Sequence, residues 1–258
     1  MAYRTRFLAR LSSHERAHFR PHLVEVSLKP GQTLMRQWES IEQIYFPHTC
    51  VVALAAAQQA DQAVLVGLTG PEGVIGGAAA LGISESISDA TVRIAGAASR
   101  ISVEKFCAGM RQTGDRLRED LARRELLCQF QAQQAAAANA LRSAEARVCR
   151  LVLELADRVE QPRIAITQTA LAAMLGLQRT TVTLMLSRLQ KAGALWCGRG
   201  HFRILDRGEI EHRSCGCYAR MIEGFTHILG GQTAGRGADL ENAFERELRL
   251  ESFAAPSS

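Results

Sequence analysis

The chain has 258 residues, of which 47% are hydrophobic and 22% charged, and its formal net charge is +5. This length accommodates about two modest domains of ordinary globular composition. The longest apolar run, Cys50 to Ala57, is far shorter than the ~18–20 residues of a membrane-spanning helix, and no signal peptide is readable. We therefore expect a cytoplasmic protein without membrane contact. Seven cysteines without a C-x-x-C pair indicate reduced thiols rather than a disulfide framework.

Residues 20–105 have the pattern of a β domain. Short apolar and β-branched runs alternate with turn signals such as Lys29-Pro30-Gly31. These runs are Leu23–Leu28, Ile41–Phe46, Val51–Ala55, Ala63–Leu68, Thr91–Ile94 and Ala98–Val103. Their spacing predicts an antiparallel sandwich or barrel, on which short helices formed by residues 7–19 pack.

Residues 104–141 contain no proline and are rich in strong helix formers. Apolar or small residues recur there at helical spacing: Phe106, Met110, Leu117, Leu121, Cys128, Ala132 and Ala135. This stripe is longer than one small barrel can cover, so we expect residues 104–142 to pair with the same helix of a second copy. A single helix packed within one monomer is the alternative.

The remainder divides into a compact domain and a tail. Ser143 is placed to cap a helix over 144–157, and residues 209–229 read as a packed helix followed by a weakly ordered, glycine-rich tail. The expected domains are a barrel over 1–103, a dimerisation helix over 104–142, a DNA-binding domain over 143–207 and a C-terminal segment over 208–258.

A helix-turn-helix pattern begins at residue 166. Thr167 is placed as an N-cap, and Gly176 stands where a tight turn needs a residue that tolerates positive φ. Buried faces are predicted at Leu171, Met174 and Leu175 for the first helix, and at Val182, Leu186 and Leu189 for the second. Residues 198–201 then form a turn between two short apolar runs, which predicts a wing.

Six Arg or Lys and no Asp or Glu occur between Gln161 and Leu205, which is an electrostatic signature of nucleic acid binding. Since a recognition helix enters the major groove by its N-terminus, Arg179 is placed to hold guanine through two hydrogen bonds. Thr181, Arg188 and Lys191 suit phosphates. The predicted DNA-binding residues are Gln168, Thr169, Gln178, Arg179, Thr180, Thr181, Thr183, Arg188, Lys191 and Arg199.

Over residues 5–228 the sequence resembles the Crp/Fnr family of bacterial regulators. The resemblance is carried by the segment from Ile166 to Val182, by Tyr45-Phe46-Pro47 and by residues 70–76. It implies an α+β fold with an N-terminal antiparallel β-barrel (a jelly roll of the cyclic-nucleotide-binding kind), a long dimerisation helix and a C-terminal winged helix. It also implies a homodimeric transcription regulator that binds double-stranded DNA at a near-palindromic operator, with RNA polymerase as a further candidate partner.

Two departures from the family pattern are visible. Cyclic-AMP-responsive members carry Glu and Arg where this chain has Thr180 and Leu184, so a different half-site is expected. Cyclic-nucleotide binders present Arg in an Arg-Ser/Thr-Ala segment that here reads Ser88-Asp89-Ala90. An uncharged serine in place of the guanidinium, followed by an acid, would repel rather than hold a phosphate, so we expect no cyclic AMP binding of the usual kind. The degenerate pocket comprises Gly70, Glu72, Gly73, Gly76, Ser88 and Asp89.

Other functions find weaker support. His201, His212, Cys215 and Cys217 are the candidate metal ligands, but their spacing matches no common zinc module, so neither a metal nor a cofactor is expected. A thiol switch through Cys215 and Cys217 is an alternative. No catalytic motif is present, so we do not expect an enzyme. A ligand-binding or protein-docking module is the competing class, and the acid-free basic segment argues against it.

Overall fold

The computed structural model describes residues 6–59, 62–159, 161–214 and 216–229. Two short helices, α1 (Arg6–Ala9) and α2 (Ser13–Phe19), precede the strands. A capping box starts α2, because Ser12 and Glu15 each accept a hydrogen bond from the other's backbone amide. The strands of the N-terminal domain are β1 (Val24–Leu28), β2 (Thr33–Met35), β3 (Gln43–Pro47), β4 (Val51–Gln59), β5 (Gln62–Thr69), β6 (Asp89–Ile94) and β7 (Gly96–Ser102).

These strands form two antiparallel sheets, in the orders β1-β7-β3 and β2-β6-β4-β5. Alternate residues of β6 are buried, as expected for a strand with one face on a core. Leu28, Val92 and Ala98, from both sheets, belong to one buried cluster, so the sheets face each other across a shared core. Every strand predicted from the sequence is present. The structure also contains one strand that was not predicted, β2, whose three residues are too few to show an alternation of apolar and polar side chains.

The helical stretch over 104–141 consists of two helices, α3 (Val103–Met110) and α4 (Asp115–Leu141). Between them the amides of Gln112 and Thr113 bond to carbonyls three residues back, and Gly114 is extended with φ −71° and ψ 174°. The prediction of one uninterrupted helix was therefore wrong.

The apolar stripe assigned to a partner helix packs inside the protomer. Its members Phe106, Met110, Leu117 and Leu121 lie in the core shared with α1, α2 and β3. Further along α4, Leu127 packs against the C-terminal helix. The opposite face of α4 is exposed, and its small or apolar members are Ala122, Leu126, Ala136, Ala137 and Ala140. This exposed face of α4 was not predicted from the sequence, because tertiary packing decides which side of the helix the protomer buries.

The C-terminal part is a winged helix followed by two more helices. Its elements are α5 (Ala144–Arg158), α6 (Gln168–Leu175), α7 (Arg179–Lys191), β8 (Leu195–Gly198), β9 (His201–Ile204), α8 (Arg207–Arg213) and α9 (Cys217–Leu229). The single helix predicted over 209–229 is wrong, since Gly216 has φ +74° and separates α8 from α9. The predicted tail after residue 229 lies outside the described residues.

The two halves of the molecule share buried surface. Val51 and Leu65 of the larger sheet belong to the same apolar cluster as the helices α5, α6 and α7. Met221 and Phe225 of α9 pack on α4. The α+β class, with a β-sheet N-terminal domain, a long helix and a C-terminal helix-turn-helix, is confirmed. Across the described ranges, every helix is too short or too polar to cross a membrane.

Candidate nucleic-acid interface

The helix-turn-helix is built from local signals in the sequence. The Thr167 hydroxyl accepts a hydrogen bond from the Ala170 amide at 3.1 Å and so caps α6. Gly176 ends α6 with φ +59°, a conformation that costs glycine little. The inner faces bury Leu171, Met174 and Leu175 of α6 and Val182, Leu186 and Leu189 of α7, as the sequence predicts. The position of α7 is therefore fixed by the Thr167 cap, the Gly176 turn and the packing of the two apolar helix faces.

Replacing Thr167 by alanine removes the side-chain cap of α6 and is expected to lower the free energy of unfolding by about 1 kcal/mol. Urea denaturation followed by circular dichroism measures the effect. Thr169→Ala is the matched control, because Thr169 is exposed within the first turn of α6 and does not cap it. Equal stabilities of the two variants would contradict the capping role.

The outer face of α7 is open to solvent. Of the predicted DNA-binding residues on this helix, Arg179, Thr180, Thr183, Arg188 and Lys191 are exposed and Thr181 is half-buried, while Gln178 is the exposed N-cap residue. The face contains no acid, and its polar side chains are cations, hydroxyls and amide groups. Such a face is chemically suited to base edges and phosphates.

The start of α6 joins this face. The Thr183 hydroxyl lies 2.7 Å from Oε1 of Gln168 and 2.9 Å from the carbonyl oxygen of Arg179, and it can donate to either. Gln168 is thereby held beside the first turn of α7. Two of the predicted DNA-binding residues, Gln168 on α6 and Thr183 on α7, are therefore in contact in the fold.

A hairpin formed by β8 and β9 makes the wing. Its strands pair antiparallel from Leu195 opposite Ile204 to Gly198 opposite His201, and Gly200 at the tip has φ +75°. A cleft of about 520 Å³ separates the wing from the helix-turn-helix. The residues at this cleft include four of the predicted DNA-binding residues: Gln168, Thr169, Arg179 and Arg199.

The remaining cations of the segment are distributed around this surface. Arg188 is 57% exposed and lies 4.0 Å from a Glu145 carboxylate oxygen, which is a weak surface pair. Arg163 and Arg203 are exposed, and Arg163 Nη2 lies 3.0 Å from Nδ1 of His201 in the wing. Neither arginine was among the predicted DNA-binding residues. Both lie in the acid-free basic segment over 161–205, which was the sequence feature that could have identified them.

The six predicted effector residues do not line one common cavity. Glu72 accepts a hydrogen bond from Arg158 Nε of α5 at 2.7 Å, and Gly70 lies against the same arginine. Asp89 accepts a hydrogen bond from the Gln37 amide at 2.8 Å. Gly73 packs on Thr69. Of the six, only Gly76 and Ser88 line the nearby cavity.

This cavity, of about 620 Å³, lies between the larger sheet, the loop over 83–88 and α4. Its walls are mainly aliphatic, and the polar members are Glu85, Ser86, Ser88, Glu125, Cys128 and Gln129. Burial raises the pKa of Glu125, although a hydrogen bond from the Ala78 backbone opposes the rise. None of the described residues that line the cavity is Lys, Arg or His.

Two of the described cysteines are held as neutral thiols. Burial raises the pKa of the Cys128 thiol to about 12 and that of Cys50 to about 11, so neither is a thiolate at neutral pH. No group of three or more His, Cys, Asp or Glu within the described ranges is arranged to hold a metal. Cys215, a member of the suggested metal and thiol sites, lies outside those ranges.

Comparison with known proteins agrees with this geometry. Residues 146–213 match the family model of the Crp-like helix-turn-helix domain. No curated protein matches the sequence. Among solved structures, FixK2 from Bradyrhizobium japonicum superposes with a TM-score of 0.61 at 18% identity, over 74% of this chain and 96% of that one. A CRP/FNR family transcriptional regulator from Thermus thermophilus gives 0.60 at 22% identity, over 74% and 98%.

A third structure is described as the c-di-GMP responsive global regulator CLP of Xanthomonas campestris. It gives a TM-score of 0.61 at 15% identity, over 75% of this chain and 99% of that one.

The fold defines a winged-helix protein with an exposed helix-turn-helix and a β-sheet N-terminal domain. More particularly, the chain carries a Crp-like helix-turn-helix domain and has the fold of the Crp/Fnr family regulators, which confirms the resemblance seen in the sequence.

Proposed function

We propose that the protein is a sequence-specific transcription regulator that binds a near-palindromic operator as a homodimer. The observation that carries this proposal is the exposed, acid-free face of α7, with the start of α6 and the wing beside it. Arg179 at the first turn of α7 is the base reader, and Thr181, Arg188 and Lys191 contact phosphates. The exposed Arg163 and Arg203 add further positive charge to this domain.

The exposed face of α4 supports the homodimer. Leu126 is 51% exposed there, and its exposed neighbours one helical turn away are Ala122, Arg123 and Gln129. Small side chains allow two helices to approach closely, and burial of Leu126 against its counterpart would remove an exposed apolar group from water. In such a homodimer we expect the two recognition helices to enter successive major grooves, about 34 Å apart along the duplex.

Selection from a random DNA library with the purified chain tests this proposal. We expect a bipartite motif with two-fold symmetry, and sedimentation analysis should give twice the mass of 28.2 kDa. A library that stays random after selection would refute sequence-specific binding. A monomer that selects a single half-site would refute the dimer alone.

We further propose that the effector cavity does not take cyclic AMP in the usual way. The cavity wall is mainly aliphatic and its carboxyl groups are those of Glu85 and Glu125. Ser88, also in the lining, stands where the family resemblance implies a phosphate-binding arginine. A phosphate there would meet no opposite charge and two carboxyl groups.

Titration calorimetry with cyclic AMP and cyclic GMP is expected to show no saturable heat up to millimolar nucleotide. The physical reason is the missing guanidinium, since a charge-assisted hydrogen bond to phosphate is about twice as strong as a neutral one. Operator binding measured with and without nucleotide provides an independent readout. Tight, saturable binding of either nucleotide would contradict the proposal.

We also propose that the protein acts in the cytoplasm as a binding protein rather than as an enzyme. Two of the solved structures that it resembles are described as regulators, which supports this role. RNA polymerase is a candidate second partner on DNA.

A further inference from the structure

Leu184 is an exposed apolar residue in the middle of the proposed DNA-binding face. It belongs to α7 and is 51% exposed. The residues four positions before and after it, Thr180 and Arg188, are also exposed. Neither neighbour on this face of α7 is therefore an apolar side chain that shields Leu184 from water. Scattered exposed leucines are ordinary on a protein surface, so the position of Leu184 is what matters here.

The helix places Leu184 directly behind the first turn of α7. Residues three or four apart share a face of a helix, so Arg179 and Thr183 form one row and Thr180 and Leu184 form the adjacent row. The first row is polar, and its Thr183 hydroxyl lies within hydrogen-bond distance of Gln168. The second row presents a threonine methyl followed by a leucine side chain.

A leucine side chain can pack on an apolar group of a base without leaving a hydrogen-bonding group unpaired. The C5-methyl of thymine is the apolar group of the major groove, whereas guanine, adenine and cytosine present donors or acceptors there. Leucine can neither donate nor accept a hydrogen bond, so packing it on such a group would leave that group desolvated and unpaired. The chemistry of Leu184 therefore favours thymine.

We propose that Leu184 reads a thymine methyl group, and that the half-site contains thymine beside the guanine contacted by Arg179. This inference rests on the proposed DNA-binding function and adds a specificity-determining residue to it. It also explains physically how a recognition helix with Thr180 and Leu184 in place of charged residues can still discriminate between bases.

The test uses the selected operator with each thymine replaced in turn by deoxyuridine, which removes the methyl group alone. For the wild-type chain we expect at least one replacement per half-site to weaken binding about fourfold, the affinity equivalent of one buried methyl group. Leu184→Ala should bind the thymine and deoxyuridine operators equally at that position. Fluorescence anisotropy with labelled duplexes measures both.

Leu205→Ala is the matched control, because Leu205 is 50% exposed in the same domain but follows the wing strand β9. It should keep the wild-type preference for thymine over deoxyuridine. Thermal melting of both variants checks that each is folded.

The possible failures are distinguishable. A wild-type chain that selects a motif but tolerates every deoxyuridine overturns the methyl contact and leaves the proposed function intact. Discrimination that persists in Leu184→Ala assigns the methyl contact to another residue and also overturns the inference. A chain that selects no motif overturns the proposed function and this inference together.

Discussion

Replacement of Glu72 by glutamine is expected to lower the free energy of unfolding by about 3–5 kcal/mol. Arg158 of α5 donates to Glu72 at 2.7 Å, and both side chains are almost fully buried, with exposures of 6% and 12%. Removing the negative charge leaves a guanidinium buried without its counter-ion, and that uncompensated charge is the main cause of the destabilisation.

The other contacts of Arg158 show why the arginine cannot move to water in this variant. Its Nη1 donates to the Glu154 carbonyl oxygen at 2.8 Å and its Nη2 to that of Leu68 at 3.3 Å, while the guanidinium lies over the Phe225 ring at 5.4 Å. Burial lowers the pKa of Arg158, but the carboxylates of Glu72 and Glu154 more than compensate and raise it. Glutamine removes the Glu72 contribution, but a guanidinium is not deprotonated in proteins near neutral pH, so the arginine stays charged in the variant.

Urea denaturation of the wild-type chain and of Glu72→Gln measures the loss. Glu119→Gln is the matched control, since Glu119 pairs with Arg123 at 3.8 Å on the surface of α4 and should change stability by less than about 1 kcal/mol. If both variants lose the same small amount, the buried pair does not hold the DNA-binding domain on the β domain.

Replacement of Arg179 by alanine is expected to weaken operator binding by about 1–3 kcal/mol, a factor of roughly 5 to 150 in affinity, and to relax the choice of base at one position of each half-site. Arg179 begins α7, is exposed and lies at the cleft between the helices and the wing. The loss should be largest for the selected operator and small for unrelated DNA, because a base contact contributes only to the specific complex.

Lys191→Ala provides the contrast within the same helix. Lys191 is exposed in the last turn of α7, where a phosphate contact is expected. Its removal should weaken binding to operator and unrelated DNA alike and reduce the slope of log K against log salt by about 1. A loss of base preference in Lys191→Ala, with none in Arg179→Ala, would reverse the two assignments.

The helix-turn-helix could be predicted from the sequence because each of its signals is local. Thr167 caps the helix that starts beside it, Gly176 has the positive φ that its turn requires, and the apolar residues of both helices follow helical spacing. The family resemblance and the sequence spacing agree at these positions. No long-range information is needed to place Arg179 on an exposed N-terminal turn.

Contacts between the β domain and the C-terminal helices could not be predicted from local sequence signals. Glu72 was assigned to an effector pocket, but its partner Arg158 lies 86 positions away in the sequence. The stripe of α4 that contains Leu121 shows helical periodicity whether it packs on the protomer or on a second copy, so the sequence alone left both alternatives open. The break at Gly114 was likewise missed, since isolated glycines are tolerated in helices.

Equilibrium binding to the selected operator is the most direct test of sequence-specific recognition. The purified wild-type chain is titrated at physiological salt into the operator duplex and into a shuffled duplex of the same length and base composition. We expect the operator to bind at least about 10³-fold more tightly, as specific regulators do relative to unrelated DNA. Equal affinities for the two duplexes would contradict the assignment of α7 as a recognition helix.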